Sequence, residues 1–281
     1  MNRKTGQEHK MYKLQNIHAH SIYCDGTLTL EEMVKAAIKK GCDSFGFSGH
    51  SYAPFDAKHC MSIENTGRYI MEVKNLQKKY SGEIELFTGV EQEYHGDKAQ
   101  GDFDFILGAV HYIKNGEALV CVDGGAKAQQ QECDTNYGGN YYAMAESYFE
   151  TVADVARKTN ADVIAHFDLI TKYNFFGKQF DESNPRYVNA ALTAMDEILK
   201  THRLFEVNTG AMFRFDKPEP YPSVLLLKEL FRRGGEVIIT SDSHHAESIC
   251  HKFDEMRELL KNCGFKYMKQ LTKDGFVDVS L

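Results

Sequence analysis

The chain has 281 residues, with 33 lysines and arginines against 40 aspartates and glutamates, which gives a formal charge of −7. One domain is the simplest expectation at this length. The excess of acidic residues argues against a nucleic-acid partner held by electrostatic attraction. No apolar run approaches the roughly 18 residues of a membrane span. Residues 1–16 lack the apolar core of a signal peptide, and the seven cysteines are scattered singly without a CxxC pair, so a reducing cytoplasm is the expected location.

Short apolar segments alternate with longer helical patterns along the chain. Seven segments predict strands, because they are short, rich in β-branched or aromatic residues and bounded by Gly, Asp or Asn: 14–20, 42–50, 84–91, 104–111, 162–168, 204–209 and 236–244. Between Thr29 and Gly41 a capping box formed by Thr29 and Glu32 predicts the first helix. Further helices are predicted at 65–80, 141–159, 185–202, 223–233 and 248–262.

A strand followed by a helix, repeated about seven times, predicts an α/β fold with a parallel sheet closed or nearly closed into a barrel. An open doubly wound sheet is the structural alternative, although neither GxGxxG nor GxxxxGK[ST] occurs to support a nucleotide-binding version. Residues 116–139 are rich in Gly and Gln with little periodicity, and they predict a long loop that is either a lid beside the site or a surface insertion. We see no second-domain boundary.

Residues that can bind metals fall at the ends of six of the seven predicted strands. In chain order they are His18, His20 and the nearby Asp25, then His50, Glu91, His111, His166 with Asp168, and finally Asp242 with His244. In a parallel barrel the carboxyl ends of all strands lie on one rim, so these distant residues are expected to converge on one pocket.

The HxH spacing has a geometric reason, because residues i and i+2 on a strand point the same way and both rings can reach one ion. Imidazole and carboxylate ligands suit Zn, Mn or Fe better than Mg or Ca. Six histidines and three carboxylates are too many for one ion, so two or three divalent ions are expected, with Glu91 as a bridge between two of them.

Each of these residues also has a simpler interpretation. A single His50, His111 or His166 is more often a core histidine than a ligand, and a single Asp242 is more often a helix cap. Their joint placement at strand ends favours the metal site. His245, beside His244, can face either way.

The same segments resemble a known pattern. The motifs HAHSIYCDG, FSGHS, GVEQEY, GAVHY, AHFD, EVNTG and SDSHH occur in the order of the polymerase and histidinol phosphatase (PHP) superfamily, and the chain is most similar there to monofunctional histidinol-phosphatases. The resemblance covers about residues 14–262. It implies a single PHP domain over 1–281, with a distorted (β/α)7 TIM-like barrel core at about 14–262 and a trinuclear site.

Carried over by motif, the resemblance implies three sets of ligands. The first metal is expected at His18, His20, Glu91 and Asp242, the second at Glu91, His111 and His166, and the third at Asp25, His50 and His244. Glu91, Asp242 and His244 are expected to be catalytic as well. Arg214 is expected to hold phosphate, and His245 is a candidate substrate contact and leaving-group acid.

The implied reaction is hydrolysis of L-histidinol phosphate to L-histidinol and phosphate, a step of histidine biosynthesis. A PHP-type phosphoesterase for another small phosphorylated metabolite or nucleotide is the first alternative. An amidohydrolase also opens with HxH on a barrel strand, although a lysine commonly bridges its ions where this chain offers Glu91. A metal-binding barrel without chemistry is the non-enzyme alternative. The sequence leaves the oligomeric state open.

Overall fold

The computed structural model describes residues 11–281, so most of the N-terminal segment considered for a signal peptide lies outside the described residues. The strands are β1 Gln15–Asn16, β2 Ser44–Phe47, β3 Glu85–Glu93, β4 Phe105–Ala109, β5 Tyr112–Asn115, β6 Ala118–Cys121, β7 Val163–Ile164, β8 Leu204–Asn208, β9 Glu236–Thr240, β10 Tyr267–Thr272 and β11 Gly275–Ser280. The helices are α1 Leu30–Lys40, α2 Ile63–Lys79, α3 Ala126–Tyr137, α4 Tyr141–Val152, α5 Val155–Thr159, α6 Asn174–Gly177, α7 Pro185–Leu199, α8 Gly210–Phe215, α9 Val224–Arg232 and α10 Phe253–Cys263. Among the described residues no helix is both long and apolar enough to cross a membrane.

Seven parallel strands form one sheet in the order β1-β2-β3-β4-β7-β8-β9. The two ends of this sheet meet just beyond β1 and β9, where Ala19 pairs with Ser243 and the His20 amide donates to the Ser243 carbonyl at 2.8 Å. The predicted distorted (β/α)7 barrel is therefore confirmed. The distortion is visible in β1 and β7, each only two residues long.

Local sequence signals set both ends of α1 and the start of α7 as predicted, whereas the helix predicted at 141–159 is divided into α4 and α5 and the one predicted at 248–262 begins at Phe253. Thr29 accepts a hydrogen bond from the Glu32 amide, and the Glu32 carboxylate accepts one from the Thr29 amide, which completes the capping box of α1. Gly41 ends this helix in the left-handed conformation with φ 86°, which glycine adopts without steric cost. Asn184 likewise caps α7 immediately before Pro185.

The prediction that residues 116–139 form a long loop is wrong. This segment holds β6, which pairs with β5 in an antiparallel hairpin, and the three-turn helix α3. Its fold depends on tertiary packing: Val120, Val122 and Cys133 are fully buried against the core. The amphipathic signal of α3 is weak because its polar Gln129 is buried too, which explains why the sequence pattern missed it.

The C-terminal hairpin of β10 and β11 was also not predicted. Its Leu271 packs in the barrel's interior cluster with Ile17 and Phe105. Leu271 exchanges two backbone-to-side-chain hydrogen bonds of 2.8 Å with Gln15, at the start of β1. The hairpin thus covers part of the N-terminal end of the barrel, opposite the end where the predicted ligands lie.

Candidate metal centre

All nine predicted metal ligands lie at the carboxyl ends of the barrel strands. His18 and His20 follow β1 with Asp25 on the next turn, His50 follows β2, Glu91 lies in β3, His111 follows β4, His166 follows β7, and Asp242 with His244 follows β9. Most are nearly inaccessible, and Glu91, at 1 % exposure, lies at the centre. The convergence expected from the barrel topology is present.

The first predicted set forms a tight group. The Nε2 atom of His18 lies 3.2 Å from Glu91 Oε2 and 3.6 Å from Asp242 Oδ1. The Nε2 atom of His20 lies 3.4 Å and 3.2 Å from the same two oxygens. Two imidazole nitrogens and two carboxylate oxygens therefore face one another, which is the donor set of a first-row divalent cation.

The second predicted set uses the other oxygen of the central carboxylate. Glu91 Oε1 lies 2.8 Å from His166 Nε2 and 3.4 Å from His111 Nε2. The two oxygens of Glu91 thus face separate groups of imidazoles, as expected for a carboxylate that bridges two ions. His50 also approaches this carboxylate, with its Nδ1 3.0 Å from Oε2.

The third predicted set surrounds Asp25. The Asp25 carboxylate lies 3.1 Å from His244 Nε2 and 3.6 Å from His50 Nε2. His20 Nδ1 is 3.4 Å from Asp25 Oδ1, so this ring links the first set to the third. Donor atoms of His20, Asp25, His50 and His244 all lie within 4.8 Å of one another, as a single ion requires.

The donor atoms of this cluster fit divalent cations. The Nε2 atoms of His18 and His20, Glu91 Oε2 and Asp25 Oδ1 are buried without hydrogen-bond partners. Buried polar atoms are rarely left unpaired, so a group of them converging on shared points fits the binding of divalent cations. Asp242 also adopts φ 44°, a left-handed conformation that strains a residue with a Cβ and is typical of functional sites.

The electrostatics of the cluster agree with this fit. Burial lowers the pKa of His111, but the Glu91 and Glu93 carboxylates outweigh it and raise that pKa to about 9. Burial, together with the rings of His244 and His50, lowers the pKa of His20 to about 3. Protons thus neutralise part of the acidic charge, and bound cations would displace them because metal ligands bind deprotonated.

Two buried carboxylates that the sequence left without a role orient the rings of two predicted ligands. Glu206 in β8 accepts a hydrogen bond from His18 Nδ1, which leaves the Nε2 lone pair of that ring directed at the cluster. Glu93 in β3 does the same for His111, whose Nδ1 donates to it at 2.9 Å. The signal that could have found them is their place in the EVNTG and GVEQEY motifs.

Burial alone would raise the pKa of Glu206, but the adjacent His18 ring lowers it below its ordinary value. Glu206 also accepts from the His166 amide at 2.7 Å and the Asn208 side chain at 3.0 Å. This one carboxylate therefore fixes predicted ligands that follow two different strands.

A cavity of about 330 Å³ opens above the cluster. The guanidinium of Arg214, in α8, lines it and donates to Asp242 Oδ2 at 2.7 Å, while its other terminal nitrogen lies 2.8 Å from His244 Nδ1. His245, the other predicted substrate contact, does not line this cavity. Its ring forms a hydrogen bond of 3.0 Å with the Thr27 hydroxyl.

The matches to known proteins agree with this geometry. The model of the PHP domain family matches residues 16–210. The curated "Probable histidinol-phosphatase" of Deinococcus radiodurans is 27% identical over 270 residues, which cover 90% of this chain and 95% of the relative. The curated "Histidinol-phosphatase" of Bacillus subtilis is 21% identical over 266 residues, which cover 86% and 97%.

A solved structure has the same fold. The structure of histidinol phosphate phosphatase from Lactococcus lactis, complexed with zinc, L-histidinol and phosphate, superposes with a TM-score of 0.69 at 20% identity and covers 94% of this chain and 98% of that one. The family match spans well over half of the sequence. The predicted resemblance is confirmed, and the chain belongs to the PHP domain family.

Proposed function

We propose that this protein is a metal-dependent phosphomonoesterase that hydrolyses L-histidinol phosphate to L-histidinol and inorganic phosphate in histidine biosynthesis. The observation that carries the proposal is the cluster of unpaired imidazole and carboxylate atoms around Glu91, at the floor of a cavity that also holds the Arg214 guanidinium. The names of the Deinococcus and Bacillus relatives and the L-histidinol and phosphate of the Lactococcus complex support this substrate.

The chain offers ligands for two or three divalent ions. His18, His20 and Asp242 would hold one ion together with Glu91, His111 and His166 would hold a second on the other Glu91 oxygen, and the set around Asp25 would hold a third. Such ions supply Lewis acidity toward a phosphoryl group and lower the pKa of water from 15.7 to about 7.

The protein's own groups supply orientation and charge. Glu206 and Glu93 hold their histidine partners in the tautomer that leaves Nε2 free, so the ligand set is formed before substrate arrives. Arg214 presents two terminal nitrogens at the cavity, and a guanidinium there would bind phosphate oxygens and offset the charge that spreads over them in the transition state. The buried floor excludes bulk water, which strengthens these interactions.

We also propose that the reaction takes place in the cytoplasm. All seven cysteines are free thiols. Free thiols support a cytoplasmic location, because disulfides are rare in that compartment.

The test is a phosphate-release assay with purified protein and added Mn²⁺ or Zn²⁺. L-histidinol phosphate is compared with a nucleoside monophosphate, a sugar phosphate and p-nitrophenyl phosphate, and a simple amide tests the amidohydrolase alternative. We expect the highest kcat/KM for L-histidinol phosphate, with loss of turnover after chelation. A higher kcat/KM for a nucleotide or sugar phosphate would refute the assigned substrate, and hydrolysis of the amide alone would refute phosphatase chemistry.

A further inference from the structure

One wall of the cavity is formed by the segment between β6 and α3, together with the segment that follows β7. Asp123 comes from the first, and Lys172 and Tyr173 come from the second. Gln129, which is fully buried, ties the two segments together: its side-chain amide donates to the carbonyls of Val122 at 2.7 Å and of Ile170 at 3.0 Å. The wall is therefore a fixed part of the fold.

The Asp123 carboxylate is held from one side. Its Oδ2 accepts from Lys172 Nζ at 3.0 Å, and the Tyr173 hydroxyl donates to the Asp123 carbonyl at 2.6 Å. Its Oδ1 has one hydrogen-bond contact with a described residue, the Cys121 thiol at 3.6 Å, which is a weak donor. Burial raises the pKa of Asp123, but the Lys172 ammonium outweighs this and keeps that pKa below its ordinary value. An ionised carboxylate oxygen with spare acceptor capacity thus lies at the cavity wall.

The other cavity carboxylates outside the metal ligands are already engaged. Glu93 Oε2 accepts from both the ring and the amide of His111, at 2.9 Å each, and its Oε1 accepts from the His95 amide at 3.2 Å. Asp56 is paired with the His59 ring at 2.7 Å and also interacts with the Tyr112 hydroxyl. Asp123 is the carboxylate of this wall whose second oxygen is open to a ligand.

We propose that Asp123 is a specificity-determining residue that accepts the ammonium group of an amino-alcohol phosphate. The inference rests on the proposed function and identifies the part of the substrate that this wall recognises. In L-histidinol phosphate the ammonium is on the carbon next to the phosphate-bearing methylene, so it must lie close to the phosphate. Asp123 meets this requirement because it lines the same cavity as the rings of His111 and His166, two of the predicted metal ligands.

Lys172 acts as the positioning residue in this arrangement. It binds Oδ2 and fixes the carboxylate, which leaves Oδ1 for the ligand. A charge-assisted hydrogen bond in a partly buried site is stronger than one in water, so it discriminates against phosphate esters that lack the ammonium group.

The test compares two substrates and two variants. The substrates are L-histidinol phosphate and the otherwise identical ester that lacks the amino group. The variants are Asp123→Asn, which keeps the shape of the side chain, and Asp134→Asn, an exposed carboxylate on α3 of the same segment that does not line the cavity. We expect Asp123→Asn to lower kcat/KM for L-histidinol phosphate by about 10- to 100-fold, mainly through KM, and to change the value for the desamino ester less than threefold. Asp134→Asn should leave both values unchanged.

The outcomes separate this inference from the proposed function. Equal losses for the two esters, or no loss for either, would overturn the role of Asp123 while leaving the phosphatase proposal intact. A wild-type enzyme that hydrolyses neither ester, but releases phosphate from a nucleotide or sugar phosphate, would instead overturn the proposed substrate and the inference with it. Circular dichroism of both variants identifies a loss of activity that comes from misfolding. If Asp123→Asn misfolds, Asp123→Glu, which retains the charge, should restore discrimination between the two esters. Equal kcat/KM values of the Asp123→Glu variant for the two esters would again overturn the role of Asp123.

Discussion

Glu206 provides the sharpest test of how the metal centre is built. We consider Glu206→Gln, which keeps the size of the side chain and removes its charge. The wild-type carboxylate is fully buried and accepts from four donors: His18 Nδ1, the His166 amide, the Asn208 side chain and the Thr240 hydroxyl. A glutamine offers one acceptor oxygen to these donors, and its own NH₂ group must face at least one of them.

The expected loss of stability follows from this shortage of acceptor oxygens. A buried donor left unpaired costs about 1–3 kcal/mol, and hydrogen bonds to charged groups contribute about 1.5–3 kcal/mol each. Allowing for non-additivity, we expect the free energy of unfolding to fall by about 2–4 kcal/mol. His18 is also free to move its proton to Nε2, the atom that faces Glu91, so we expect metal affinity and kcat/KM to fall by about 10- to 100-fold.

The assay measures bound metal by elemental analysis, metal affinity by chelator competition and stability by urea denaturation. Asp168→Asn is the matched control, because Asp168 is also a fully buried carboxylate but accepts from the Ser223 amide at 3.0 Å and lies outside the ligand sets. We expect this control to retain its metal affinity within about twofold. Glu206→Gln protein with wild-type metal affinity and turnover would refute the reasoning.

Three further predictions concern the cluster and its rim. Glu91→Gln should lose bound metal and reduce turnover at least about 100-fold, since both oxygens face ligand rings; unchanged metal content and rate would remove Glu91 as the bridge. Arg214→Ala should raise KM and lower kcat, together about 10- to 100-fold in kcat/KM for a phosphate ester, and wild-type values of both would discard its phosphate role. Gly210→Ala places a Cβ 2.9 Å from the Asp242 Cβ, so metal affinity and turnover should fall about tenfold or more. Its control, Gly67→Ala in α2, meets open space and should stabilise the fold by about 0.5–1 kcal/mol without changing turnover; equal metal affinities for the two alanine variants would contradict the Gly210 prediction.

Sequence periodicity and local chemistry were sufficient for most of the barrel. Each of the seven predicted strands overlaps a barrel strand, because a buried parallel strand has a short apolar signature that depends on few neighbours. The ends of α1 followed from Thr29, Glu32 and Gly41, whose effects act within one helical turn. The convergence of the predicted metal ligands followed for a similar reason: barrel topology sends every strand end to one rim, so His18, Glu91 and Asp242 could be placed together without coordinates.

What the sequence did not reveal depends on contacts between distant residues. Glu206 reaches His18 across 188 positions, and although it lies in the EVNTG motif, that motif does not reveal which ring the carboxylate contacts. Residues 116–139 look like a loop because their helix buries a glutamine, and only the carbonyls of Val122 and Ile170 make that burial favourable. The sequence by itself determined which side chains are able to bind metal and on which rim they gather. The tertiary structure decided which carboxylates orient the rings of His18 and His111 and which side chains line the cavity, because hydrogen-bond partners are chosen by proximity in space and not along the chain.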